Sequence, residues 1–159
     1  MHVLDIGCGW GSFMKYAAER HGVRCTGVTI SAEQAALGRT LCEGLPIEFR
    51  LMDYRGLSER IDRVVSLGMF EHVGQKNYDA YMAVAPRCLA PDGLFLLHII
   101  GRNEPGHGTD PWIHRYIFPN GELPTIAHIG HACERRFVVE DLHNFGADYD
   151  LTLMAWHQR

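Results

Sequence analysis

Val3-Leu4-Asp5-Ile6-Gly7-Cys8-Gly9-Trp10-Gly11-Ser12 is the stretch on which the reading of this chain turns. A short apolar run stops at an acid and then meets glycine at positions 7, 9 and 11, a pattern that reads as a strand, a turn and the start of a helix. Glycine reaches positive φ without a Cβ penalty and lets backbone lie flat against a ligand, so a cofactor is expected to come close here. Asp5 closes the strand, where an ionised carboxylate serves either to orient the amide N–H groups of the loop or to meet a cationic group of the ligand. A plain strand-to-helix turn is the competing reading, but three glycines are seldom needed for turning alone.

A dinucleotide fingerprint spaces its glycines Gly-x-Gly-x-x-Gly, and here the third arrives one residue early. With the acid two residues before Gly7, the loop resembles the S-adenosylmethionine loop of class I methyltransferases more than a nicotinamide site.

Working outward, 159 residues have the size of one domain with room for a sizeable core. Hydrophobic residues at 47% and charged residues at 21% exclude disorder and fibrous repeats. A formal charge of -4 without any run of Lys or Arg gives no electrostatic footprint for nucleic acid. No apolar stretch reaches the roughly 20 residues of a spanning helix, and the N-terminus enters a strand without a basic region or cleavage site. The cysteines, Cys8, Cys25, Cys42, Cys88 and Cys133, are odd in number and scattered without a Cys-x-x-Cys pair, which reads as a reducing cytoplasm and no zinc site. Cys8 has no base near it in sequence, which favours structure over nucleophilic attack.

In chain order, residues 12–21 carry apolar positions at helical spacing and stop at Gly22. Residues 23–30 are β-rich. Ser31-Ala32-Glu33-Gln34 is a capping-box pattern, with Ser31 capping and Gln34 reaching back, and opens a helix running to about residue 44. Strands are expected at 47–52 and 61–67, a helix at 77–89, a turn at Pro91-Asp92-Gly93 and a fifth, buried strand at 94–100. The alternation predicts an α/β fold, a mostly parallel sheet with helices on both faces and ligands at the strand C-termini. Residues 102–125, rich in Gly, Pro, His and aromatics, read as a functional lid rather than a floppy loop. A last strand is expected at 137–145 and a terminal helix at 149–158.

With these residues in view the chain resembles the cyclopropane-fatty-acyl-phospholipid synthases and their mycolic-acid relatives. The resemblance rests on residues 3–12 and on Gly27-Val28-Thr29-Ile30-Ser31-Ala32-Glu33-Gln34, Gly68-Met69-Phe70-Glu71-His72-Val73-Gly74, Tyr116-Ile117-Phe118-Pro119-Asn120-Gly121 and Asn144-Phe145-Gly146-Ala147-Asp148-Tyr149. It implies a Rossmann-like class I fold and transfer of the S-adenosylmethionine methyl to a cis double bond of a phospholipid's unsaturated acyl chain, closing a cyclopropane ring. By matching position, Gly7, Gly9 and Gly11 would cradle the methionine portion of the cofactor, Thr29 and Gln34 would serve its ribose region, and Asp53 and Tyr54 would frame the adenine, with Asp5, Cys8 and Ser31 also counted in the cofactor site. Thr29 departs from the usual class I acid. The resemblance further implies a bicarbonate ion as the base, held by Glu71, His98, a backbone group of Ile100 and Tyr149, with a cysteine ligand upstream of this chain. It also implies a cytoplasmic enzyme at the inner membrane face and leaves a homodimer open; with a substrate inside the bilayer and no spanning helix, the aromatic stretch 112–118 is expected to make the peripheral contact with the membrane surface.

Plainer readings stand beside these. Glu71-His72 would suit a helix cap, His98 a satisfied core histidine and Tyr149 helix packing. His107, His114, His128, His131 and His143 show no ligand spacing and read mostly as exposed. Competing functions are a methyltransferase that stops at simple transfer, a nicotinamide oxidoreductase, and a non-catalytic cofactor-binding piece. Against a seven-stranded class I sheet, residues 1–159 are expected to form a single truncated domain whose last strand is missing, poorly soluble or self-associating alone.

Overall fold

A computed structural model describes residues 1–104, 106 and 110–158. The chain runs β1 (His2–Ile6), α1 (Ser12–His21), β2 (Arg24–Thr29), α2 (Ala32–Leu41), β3 (Ile47–Leu51), β4 (Ile61–Leu67), α3 (Tyr78–Met82), α4 (Val84–Cys88), β5 (Leu89–His98), α5 (Pro111–Tyr116), α6 (Ile126–Cys133) and α7 (Tyr149–His157). The strands form one parallel sheet in the order β3-β2-β1-β4-β5. Side chains alternate across it: Val3, Cys25, Phe49 and Val65 meet Met14 and Ala17 of α1 and Ala35 of α2 on one face. Leu4, Ile6, Val28 and Val64 meet Tyr81 and Met82 of α3, Val84 of α4 and Ala132 of α6 on the other. Strands apolar on both sides, as β1 and β4 are, belong in such a sandwich.

Local signals account for most boundaries. Gly22, at φ 62, ends α1 by donating its N–H to the Ala18 carbonyl. Ser31 caps α2 by accepting from the Gln34 N–H at 3.1 Å. The second half of the expected capping box is not made. Thr29 Oγ1 donates to Gln34 Oε1 at 2.8 Å and accepts the Ser31 N–H at 3.2 Å, so a neighbouring hydroxyl has displaced the Gln34 side chain from the cap.

Four further expectations are corrected. The helix expected over 77–89 is two helices meeting at Ala83, because Pro86 has no N–H to return to the Met82 carbonyl. Pro91-Asp92-Gly93 is no free turn but a bulge within β5, where Asp62 alone lies opposite residues 90–93 and Asp92 takes φ 61. β5 is not buried. It is the edge of the sheet, with Phe95 and Leu97 packed on the α3–α4 side while Leu94 and Leu96, facing the other way, stay 56% and 55% exposed. Residues 137–145 form no strand, since no described strand offers them a partner and Val138 stands 82% exposed.

The stretch 102–125 contains the short α5, with Trp112, Tyr116 and Phe118 all exposed. Residues 105 and 107–109 of it, including His107, lie outside the described residues. His114, His131 and His143 are exposed, but His128 is half-buried and caps α6 in a reciprocal box with Thr125. That box formed at a histidine rather than at the Gln34 expected from sequence.

A Cβ at Gly11, which sits at φ 82, would overlap the buried ring of Phe49. Gly11→Ala is therefore expected to cost about 2–4 kcal/mol of unfolding free energy, combining overpacking with positive φ. Gly44 sits at φ 79 with nothing within 4 Å of its Cβ position, and Gly44→Ala should cost only about 1 kcal/mol. Urea midpoints at unchanged slope report both, and equal losses would remove Phe49 from the explanation.

Candidate active site at the strand C-termini

Strand order reverses between β1 and β4, which in open α/β sheets makes the crevice where ligands bind. The two loops leaving those strands meet there. A Cβ at Gly7 would lie 2.8 Å from Met69 Cγ, so only hydrogen fits between the glycine turn and the segment after β4. Gly7, Gly9 and Gly11 all take positive φ, at 86, 53 and 82. Gly7 and Gly11 are pressed against side chains, whereas nothing lies within 4 Å of a Cβ position at Gly9. The turn thus presents bare backbone to open space at its tip.

Asp5 is buried beneath this turn, 2% exposed, and its Oδ1 has no hydrogen-bond partner. Of the two uses the sequence allowed it, orienting the loop is performed by another group. The Gly7 and Cys8 N–H groups both donate to the Val28 carbonyl at 3.0 Å, and the Gly11 N–H to the Cys8 carbonyl. Burial pushes the Asp5 carboxyl up to about 7. Burial, with Asp5 next in effect, pushes the Cys8 thiol up to about 12, which leaves it protonated and unfit as a nucleophile.

On the β2–β3 side, Thr29 is buried and paired with Gln34 above the Ser31 cap. Asp53 turns back on its own chain. It accepts the Arg55 N–H at 2.8 Å and the Arg55 guanidinium at 2.6 and 2.9 Å, and that guanidinium first, then the amide, holds its carboxyl down at about 2. Tyr54 is half-buried, edge-on to Tyr81 with ring centroids 4.9 Å apart.

Across the crevice, Phe70 is fully buried and stacked on Tyr78 at 4.1 Å, which fixes the short 3-10 turn Phe70–His72. Glu71 is therefore held by its neighbour. It does not cap a helix: Glu71 Oε1 accepts the Ile100 N–H at 2.7 Å, while Oε2 is buried and unpartnered. His98, half-buried at the end of β5, stacks on Phe145 at 5.4 Å. Tyr149 is 40% exposed, with its ring edge-on to Trp156, and no described contact joins it to Glu71, His98 or Ile100. The structure thus joins Glu71 and Ile100 directly, while the described ring contacts of His98 and Tyr149 go to Phe145 and Trp156.

Sequence reasoning missed Met69 and Phe49, which wedge against the glycines, and Glu122, whose N–H donates to the Glu71 carbonyl at 2.9 Å. An acid in Gly121-Glu122-Leu123-Pro124 carried no periodicity to mark it.

This parallel sheet with a glycine turn at its switch point is the Rossmann-like class I S-adenosylmethionine-dependent methyltransferase fold. Within that class the chain belongs to the mycolic acid cyclopropane synthetase family, which it matches over residues 1–159. It is 57% identical over its whole length to the cyclopropane-fatty-acyl-phospholipid synthase of Escherichia coli strain K12 and spans 42% of that protein. Among solved structures it resembles the cyclopropane synthase MmaA2 of Mycobacterium tuberculosis, with a TM-score of 0.88 and 31% identity over 99% of this chain and 62% of that one. It resembles the mycolic acid cyclopropane synthase CmaA1 complexed with SAH and CTAB with a TM-score of 0.85 and 33% identity, over 98% of this chain and 61% of that one.

Folded Asp5 holds its proton up to about pH 7, while an unperturbed aspartate releases it near 3.8. Between those values the folded state binds the more protons, so this group makes stability fall as pH rises. Urea unfolding at pH 5 and pH 8 should show a loss in the wild-type chain that Asp5→Asn removes, and a loss of equal size in the variant would refute the assignment.

Proposed function

We propose that this chain forms the cofactor-binding and proton-accepting part of an S-adenosylmethionine-dependent enzyme that converts a cis double bond of a phospholipid acyl chain into a cyclopropane ring. The observation carrying this reading is a pair of buried oxygens without partners, Asp5 Oδ1 near the end of β1 and Glu71 Oε2 on the loop after β4, at the switch point where the bare backbone of Gly9 also lies. Leaving two buried carboxylate oxygens unsatisfied costs stability, so ligand groups are the natural partners.

The residues fit the cofactor. Asp5 suits a cationic ammonium group, and Gly7, Cys8, Gly9 and Gly11 admit a methionine portion against backbone. Thr29 fixes Gln34 Oε1, which leaves the Gln34 amide N–H groups for a ribose hydroxyl, with Ser31 holding the helix start beneath. Tyr54 offers a half-buried face to adenine; Asp53 would have to share its carboxylate with Arg55. Bound S-adenosylmethionine supplies the electrophilic methyl group. The crevice must hold an unactivated alkene in line with it, a gain of positioning rather than of acid catalysis.

Glu71 then places negative charge where the methylated acyl chain gains positive charge, and a base must take the proton whose loss closes the ring. A bicarbonate ion belongs to the same proposal. Glu71 Oε2 suits the ion's hydroxyl, and the His98 ring a second oxygen. The Ile100 N–H is already given to Glu71, and Tyr149 would have to approach from the start of α7.

Exposed Trp112, Tyr116 and Phe118 around α5 support peripheral contact with the membrane that carries such a substrate, at the cytoplasmic face. No described helix is long and apolar enough to cross a bilayer.

Two variants separate the roles. Gly9→Val should abolish S-adenosylhomocysteine binding in calorimetry, since it adds a branched side chain to the open tip of the turn at φ 53. Glu71→Gln in the intact enzyme should keep that affinity within about twofold while cyclopropanated lipid, followed by mass spectrometry, falls by a hundredfold or more, on the order expected for a misplaced or lost catalytic group. Parallel losses in both assays would sink the division of labour, and methyl-branched chains in place of rings would support simple transfer. Liposome flotation tests the membrane contact, which is wrong for this stretch if serine at 112 and 118 leaves lipid binding intact.

A further inference from the structure

We propose that Glu122 is a positioning residue for Glu71, clamping the segment that follows α5 onto the loop after β4; this rests on the role proposed for Glu71. Glu122 uses three of its groups on that loop and the start of α3. Its N–H donates to the Glu71 carbonyl at 2.9 Å, its Oε2 accepts the Gln75 N–H at 2.7 Å, and its carbonyl accepts from Tyr78 Oη at 3.4 Å. Tyr78 is the same side chain that stacks on Phe70, the residue before Glu71.

These contacts close a ring. Glu71 Oε1 takes the Ile100 N–H, the Arg102 N–H goes to the Pro124 carbonyl at 2.9 Å, and Glu122, two residues before Pro124, returns to Glu71. Gly101 sits within the ring, where an added Cβ would stand 3.3 Å from the Pro124 carbonyl oxygen. Pro124 and Thr125 are buried, so the segment has little room to slide. Both the backbone and the carboxylate of Glu71 are thereby tied to chain segments that meet only in the folded state, and Oε2 is the atom left over for chemistry.

Only the Gln75 contact depends on the Glu122 side chain. The Gln75 N–H that donates to Glu122 Oε2 opens the 3-10 turn Gln75–Asn77, so this bond ties the side chain to the segment leading into α3. Glutamine keeps an acceptor at that place, and alanine removes it. The same segment carries Phe118, whose ring meets His72 at 5.5 Å, so the clamp also sets where the aromatic stretch stands relative to the crevice.

The test compares Glu122→Ala and Glu122→Gln in the intact enzyme by three readings: S-adenosylhomocysteine affinity, kcat, and the NMR position of the Ile100 amide proton, which lies downfield when bonded to a carboxylate. Glu122→Ala should lower kcat about tenfold or more, leave affinity within about twofold, and move the Ile100 resonance upfield. Glu122→Gln should restore both kcat and the resonance. The proposal is overturned if Glu122→Ala leaves kcat and the resonance unchanged, or if affinity and kcat fall together in both variants. A wild-type enzyme that binds no S-adenosylhomocysteine would overturn the proposed function instead, and the Ile100 resonance would still decide the clamp.

Discussion

The Val28 carbonyl receives two hydrogen bonds, from the N–H groups of Gly7 and Cys8, and the rest of the site depends on that double acceptance. It turns the chain sharply over the end of β2 as it leaves β1, which requires positive φ at Gly7 and hydrogen rather than Cβ beside Met69. Because a backbone oxygen of the neighbouring strand anchors the loop, the Asp5 carboxylate beneath it is released from that task. It stays buried, protonated up to about neutral pH, with its Oδ1 unpartnered.

The opposite wall is built differently. Glu71 is not carried by a regular element but by a single 3-10 turn, pinned through the stacked pair Phe70–Tyr78 and through the Ile100 N–H. Its support comes from residues far apart in the chain, 71, 100 and 122, whose juxtaposition requires β5 to lie parallel to β4 in the observed register. The bulge over residues 90–93 takes up the excess length before that register begins at Arg63 and Leu94. Each wall leaves one buried oxygen without a hydrogen-bond partner, a local cost to the folded state.

The architecture was legible where local chemistry decides alone. The strand, turn and helix of residues 2–21, the Ser31 cap and the apolar run of β4 stand where the sequence put them, because glycine spacing, capping hydroxyls and unbroken apolar runs act within a few residues. Local reading failed where a distant partner or a missing donor intervened. Pro86 divided the helix after residue 77, and residues 137–145 found no strand to pair with. Leu94 and Leu96 read as buried yet face outward, since hydrophobicity marks a strand without saying whether a neighbour covers both its faces.

The sequence by itself determined the family, the glycine turn and the identity of the two acids, because each is carried by residue type and spacing. Tertiary structure alone decided which oxygens those acids leave free. Asp5 loses the loop amides to Val28, Glu71 gains Ile100, Asp53 is taken by Arg55, and the Tyr149 ring packs edge-on to Trp156. Hydrogen-bond partners compete for one another in three dimensions, and the outcome rests on distances between segments that a sequence does not contain.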